Sequence, residues 1–151
     1  MKKHQLTPTL PLKETLLISI LNMLIVMPST VFIWYQIFGE YKPEYEIRDF
    51  IMIFMALLSG ALIFGIMHYI LHKDITLYTN IHYIHHRATI TKPFDALYQH
   101  PIEYILSAIL PFLFSFWLFN ISTYVINISL IFVIQRTIKG HVSIQEETSN
   151  Q

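Results

Sequence analysis

Residues 50–72 read FIMIFMALLSGALIFGIMHYILH, an uncharged apolar run that ends in His68 and His72. A run of this length matches the roughly 20 residues that cross a bilayer core. Histidines four apart share one helix face, one turn apart, and both can reach one metal ion. The fold reading therefore starts from a membrane helix that presents a pair of imidazoles at its end. Downstream come His82, His85 and His86, then His100 just ahead of another apolar stretch. Such a series beside membrane-like segments points to a metal centre at a membrane surface.

On either side of this stretch the pattern repeats. Leu16 to Gly39 and Tyr104 to Gln135 contain no Asp, Glu, Lys or Arg. Hydrophobic residues make up 54% of the 151-residue chain and charged residues 13%. A soluble domain carries about 25% charged residues, so too little polar surface is present to cover a soluble helical protein. The length suits one domain. Net charge is zero and the lysines and arginines are scattered, which argues against a nucleic-acid partner. Cysteine is absent, so disulfides, thiolate sites and iron–sulfur clusters are excluded and any metal must take nitrogen and oxygen ligands.

The expected architecture is all-α: an integral membrane helical bundle of two long spans plus a short helical hairpin, with a cytoplasmic histidine-rich metal region. Residues 1–15 read as a polar leader, 16–142 as the membrane domain and 143–151 as a disordered tail. The first span is read as a retained anchor, because it is long and no small-residue cleavage site follows it. Pro28 is expected to kink it, with Ser29 and Thr30 near the freed backbone groups, and Trp34 and Tyr35 suit an interfacial belt. Gly60 and Gly65 permit close approach of a neighbouring helix. An interfacial helix is expected over about Leu77 to Arg87. The stretch from Pro101 to Gln135 is too long for one crossing and reads as a hairpin turning near Asn120–Ser122. Basic residues flank the histidine side of the spans and the connection 39–49 is acidic, which predicts a cytoplasmic N-terminus, histidine region and C-terminus.

Three imidazoles within His82–His86 are costly unless they are solvated, neutral or metallated. Neutral imidazole suits iron or zinc, and ligand type does not separate the two. No His-Glu-x-x-His is present, so the usual zinc peptidase arrangement is missing. A lipid-facing oxidation fits the membrane setting better than hydrolysis. Asp74 and Asp95 are candidates for orienting imidazoles from behind. Glu103 is either a helix-start carboxylate or a brace for a histidine ring or a loop arginine. His141 is a candidate further ligand. The alternatives are an interfacial histidine patch without metal, and a small metal transporter, which the bare span interiors disfavour.

The run His68-Tyr69-Ile70-Leu71-His72, then Leu77-Tyr78, then His82-Tyr83-Ile84-His85-His86 resembles the fatty acid hydroxylase / sterol desaturase superfamily. Its H-x3-H and H-x2-H-H boxes occur at this spacing. His100-Pro101-Ile102-Glu103 is similar to its segment ahead of a membrane hairpin, and Gly140-His141 to its histidine beyond the hairpin. The resemblance covers about residues 60–141. It implies an integral membrane, oxygen-dependent di-metal enzyme that hydroxylates or desaturates a sterol or fatty acyl chain. Two iron ions are implied as cofactors, with zinc able to replace them in purified protein, and O2 as co-substrate. His68, His72, His82, His85 and His86 are implied as catalytic metal ligands and His141 as a sixth. His100 and Glu103 are placed just outside the ligands. A cytochrome b5-like or reductase electron donor is implied, and the endoplasmic reticulum if the source is eukaryotic.

Two departures stand against the pattern. Tyr69 occupies a position where the family often has Arg. The family's last H-x2-H-H box is expected some tens of residues beyond Gly140-His141, so the sequence reads as C-terminally truncated. A fragment or split gene, a degenerate homologue that binds metal or lipid without turnover, and a site completed by a second chain all stay open.

Overall fold

The computed structural model describes residues 9–39, 46–87 and 92–149, with side chains up to residue 139. Among these residues the structure is helical and contains no strand. Helix α1 spans Leu12–Phe38 and α2 spans Ile47–Lys73. A short α3 covers Ile75–Asn80, α4 covers Pro101–Leu118 and α5 covers Thr123–Ser149. Helices α1, α2 and α4 are long and apolar enough to cross a membrane, so the first arm of the hairpin reaches spanning length. The backbone of α5 continues helically through most of the segment read from the sequence as a tail.

Two prolines shape the spans. Pro28 and Pro111 each lie two residues after the end of a π-helical turn, Asn22–Val26 in α1 and Tyr104–Ile109 in α4. Proline lacks an N–H and its ring crowds the carbonyl one turn back. A widened turn upstream relieves that crowding. Hydroxyls serve nearby backbone groups: Thr30 Oγ1 donates to the Val26 carbonyl at 2.7 Å and Ser107 Oγ to the Glu103 carbonyl at 2.7 Å. The Val26 carbonyl is the one a turn back from Thr30 itself, not the one four residues before Pro28 that its missing N–H leaves free.

The hairpin turns where the sequence placed it. Helix α4 stops at Leu118, and Asn120 takes a left-handed conformation with φ of 54°. Asparagine tolerates that region better than most non-glycine residues. The Ile121 N–H donates to the Phe116 carbonyl at 3.0 Å and the Asn120 N–H to the Trp117 carbonyl at 2.9 Å, the paired bonds of a Schellman stop.

Helices α2 and α4 pack closely. A Cβ added at Gly60 would lie 2.6 Å from the Phe112 ring, whereas Gly65 faces open space. Only the first of the two glycines expected at a close contact is therefore used that way. Ser115 Oγ donates to Ser59 Oγ across the same interface at 3.2 Å. Gly60→Ala is expected to destabilise the protein by about 1–3 kcal/mol through overpacking, read as a lower unfolding temperature in detergent. An unchanged unfolding temperature would show that Phe112 yields freely. The core from this interface to α5 is apolar, built on Ala56, Leu113, Phe116, Ile121 and Leu130.

The segment 93–99 is clasped to α1 by polar side chains that the span would otherwise not need. Ser19 Oγ donates to the Phe94 carbonyl at 2.9 Å. Asn22 Nδ2 donates to the carbonyls of Leu97 and Gln99, each at 2.9 Å. Loop carbonyls held in a buried place need such donors.

Candidate metal centre

The end of α2 supplies His68 and His72, whose Nε2 atoms lie 3.2 Å apart. The chain then turns at Asp74, which caps α3 by accepting the N–H groups of Thr76 and Leu77 at 2.8 and 2.9 Å. The interfacial helix expected over Leu77 to Arg87 is not continuous. It starts earlier and ends at Asn80, and His82–Ile84 forms a tight 3-10 turn. The reason lies in the residues: β-branched Ile75, Thr76, Thr79 and Ile81, with Asn80 among them, are weak helix formers.

That break brings the second histidine group back over the first. His82 Nε2 lies 3.0 Å from His72 Nε2, and His86 Nε2 lies 2.9 Å from His82 Nε2. The ligand atoms of His68, His72, His82 and His86 all fall within 4.8 Å of one another. His82 is fully buried at the centre, His68 and His86 are half-buried and His72 is exposed. Burial first, then the neighbouring His82, His72 and His68, push the His86 imidazole down to about 4, so its ring is neutral at pH 7.

Helix α4 completes the arrangement from behind. Glu103 Oε1 sits 2.7 Å from His82 Nδ1, with both side chains shut off from solvent. Of the two options the sequence left for Glu103, it braces a histidine ring. A carboxylate on Nδ1 holds the proton there and leaves the Nε2 lone pair facing the other histidines.

The other candidates lie elsewhere. His85 is outside the four-nitrogen group and lines an adjacent cavity. His100 caps α4 by accepting the Ile102 N–H at 3.2 Å. Asp74 and Asp95 are also backbone caps rather than imidazole partners; Asp95 accepts the Lys92 N–H at 2.7 Å. The side chain of His141 lies outside the described residues.

One contact was not foreseen. Arg87, next to the last histidine, donates through Nη1 to Glu14 Oε1 at 2.7 Å and to the Tyr98 hydroxyl at 3.2 Å. The Tyr98 hydroxyl donates to the same Glu14 oxygen at 2.5 Å. Burial, then the bond to Glu14, push the Tyr98 phenol up to about 12. These three residues tie the chain after His86 to the start of α1. The start of α1, the end of α2 and the start of α4 therefore meet at one end of the bundle. Aromatic Trp34, Phe38 and Trp117 gather at the other, with Trp34 and Phe38 ring centres 4.6 Å apart.

Nitrogens about 2 Å from a shared ion stand roughly 3 Å from one another. The Nε2 separations match that spacing, and the carboxylate behind His82 is the usual partner of a metal-bound imidazole. With all four ligand atoms within 4.8 Å of one another, the group is compatible with metal binding.

Residues 50–149 match the fatty acid hydroxylase family. The chain belongs to that family. The matched segment of this fatty acid hydroxylase family member takes in α2, the whole histidine group and Glu103, and the hairpin. No solved structure matches the chain. Family and apolar helices together make it an integral membrane protein.

Proposed function

We propose that this chain takes part in oxygen-dependent hydroxylation or desaturation of a lipid, a sterol or a fatty acyl chain, at a histidine-ligated iron centre. The observation that carries the reading is the convergence of four imidazole nitrogens on one point, backed by a buried carboxylate, at one end of apolar helices. Bound iron would supply the redox chemistry that couples dioxygen to removal of hydrogen from an unactivated C–H bond. The protein's own part is to present neutral imidazoles, to fix the His82 tautomer through Glu103, and to hold the lipid beside them. His68, His72, His82 and His86 are the proposed ligands of one ion. His85 and His141, or residues of a second chain, are the proposed source of ligands for another. A cytochrome b5-like protein or a reductase is the proposed electron donor, meeting a cytoplasmic histidine face, at the endoplasmic reticulum in a eukaryote.

The fit of the four nitrogens to a single ion also favours a second reading, a metal- or lipid-binding homologue without turnover. The two are separated by incubating iron-loaded protein in bilayers with a reductase, isotopically labelled dioxygen and host lipid extract. Hydroxylation predicts label in a lipid product, and desaturation predicts a new double bond. Neither product, with metal bound, would sink the catalytic reading.

A further inference from the structure

Three of the four clustered imidazoles are steadied by a side chain from outside the group. Glu103 Oε1 lies 2.7 Å from His82 Nδ1. Phe64, one turn back along α2, stacks on His68 with ring centres 5.5 Å apart. His85 meets His86 edge-on at 5.3 Å. His72 stands differently. It is exposed, and among the described residues its Nδ1 makes no hydrogen bond. An exposed side chain near a helix end moves between rotamers. A ligand that must be collected from several of them binds metal more weakly.

One ring outside the histidine group packs against His72. Tyr78 lies 5.8 Å from it between ring centres, with the planes tilted by 34°. The same ring meets His82 edge-on at 6.0 Å. Both separations fall in the range where aromatic rings attract one another. The short helix α3 puts Tyr78 there. Asp74 caps its start, and the Tyr78 N–H donates to the Asp74 carbonyl at 2.8 Å. Tyr78 is half-buried, with Tyr83 against it at 6.3 Å. Its hydroxyl makes no hydrogen bond among the described residues, so its contribution comes from the ring.

We propose that Tyr78 is a positioning residue of this centre, its ring holding the exposed His72 imidazole so that Nε2 stays turned toward the other three nitrogens. This rests on the metal-centre reading for its purpose. The contact itself belongs to the metal-free protein and is tested there.

Two measurements on the full chain in dodecylmaltoside micelles test it. In metal-stripped protein with labelled histidines, three-bond carbon–nitrogen couplings give the χ1 rotamer of His72. A single rotamer is expected in wild type and in Tyr78→Phe, which keeps the ring. Averaging over rotamers is expected in Tyr78→Leu, which keeps apolar bulk without the ring. His82, held by Glu103, is expected to stay in one rotamer in all three. Zn2+ affinity, by competition with a chelator, is expected to fall about 3- to 10-fold in Tyr78→Leu, the range for immobilising one side chain, and to be unchanged in Tyr78→Phe. An averaged His72 in wild type or a fixed His72 in Tyr78→Leu overturns the proposal. So does a His82 loosened together with His72, because α3 would then merely have shifted. Unchanged affinity in Tyr78→Leu, or Tyr78→Phe as weak as Tyr78→Leu, overturns it as well. Tyr78→Met takes the place of Tyr78→Leu if that variant does not fold. A wild type that binds no Zn2+ removes the metal centre itself, and the couplings then decide alone whether Tyr78 holds His72.

Discussion

His82→Ala is expected to abolish loading with Zn2+ or Fe2+ and to lower the stability of the metal-stripped protein as well. The first effect follows from position. His82 Nε2 is within 3.0 Å of both His72 and His86, so its removal takes out the member that joins the two histidine groups. The second follows from Glu103, which faces His82 from 2% exposure. Leaving a buried carboxylate without its hydrogen-bond donor costs about 3 kcal/mol. His72→Ala provides the contrast. His72 is exposed, so its loss should remove metal while changing metal-free stability by less than about 0.5 kcal/mol. Elemental analysis of purified protein gives the metal content, and unfolding of stripped protein gives the stability. A full complement of metal in His82→Ala would sink the proposed centre. Equal destabilisation by the two variants would sink the role given to burial.

Much of the membrane frame is local in its causes and was therefore legible. An uncharged run such as Phe50 to Met67 has no low-energy place outside an apolar medium, and Asn120 announces a left-handed stop after Leu118. The pairing of His68 with His72 is likewise a property of one helix. The meeting of these two with His82 and His86 is not. It depends on α3 ending at Asn80, where several weak helix formers compete with a pattern that, read by spacing alone, continues to Arg87. His85, adjacent in sequence to a ligand candidate, lines a cavity instead.

Side chains inside the spans were the other blind spot. Ser19 and Asn22 sit three apart in the apolar run of α1 and hold the segment that carries Gln99. Isolated polar residues at helical spacing within a span carry a signal of their own: buried in lipid or protein they need a partner. The partner lay 75 residues away for both, which no local pattern identifies. The Glu14–Arg87–Tyr98 contact has the same character, joining the start of the first span to the residue after the last clustered histidine.

Glu103→Leu is expected to weaken metal binding by about 10- to 100-fold, the range for removing the acceptor behind a metal-bound imidazole. The argument turns on the tautomer. With the carboxylate at 2.7 Å, the His82 proton stays on Nδ1 and Nε2 is free to act as a ligand. Without it, the buried ring gains nothing by keeping the proton there, and the tautomer with Nε2 protonated withdraws the central donor of the group. Glu103→Gln separates two contributions. Its amide oxygen can still accept from Nδ1, so the tautomer is kept, but the negative charge that strengthens the imidazole is lost. The order of affinity is then wild type, Glu103→Gln, Glu103→Leu, measured by competition with a chelator of known affinity for Zn2+. Nitrogen NMR of the metal-free imidazole provides the independent reading, with the Nδ1-protonated form dominant in wild type and Glu103→Gln and diminished in Glu103→Leu. An unchanged tautomer in Glu103→Leu, or equal affinity across the three proteins, would reduce Glu103 to a packing residue at the start of α4.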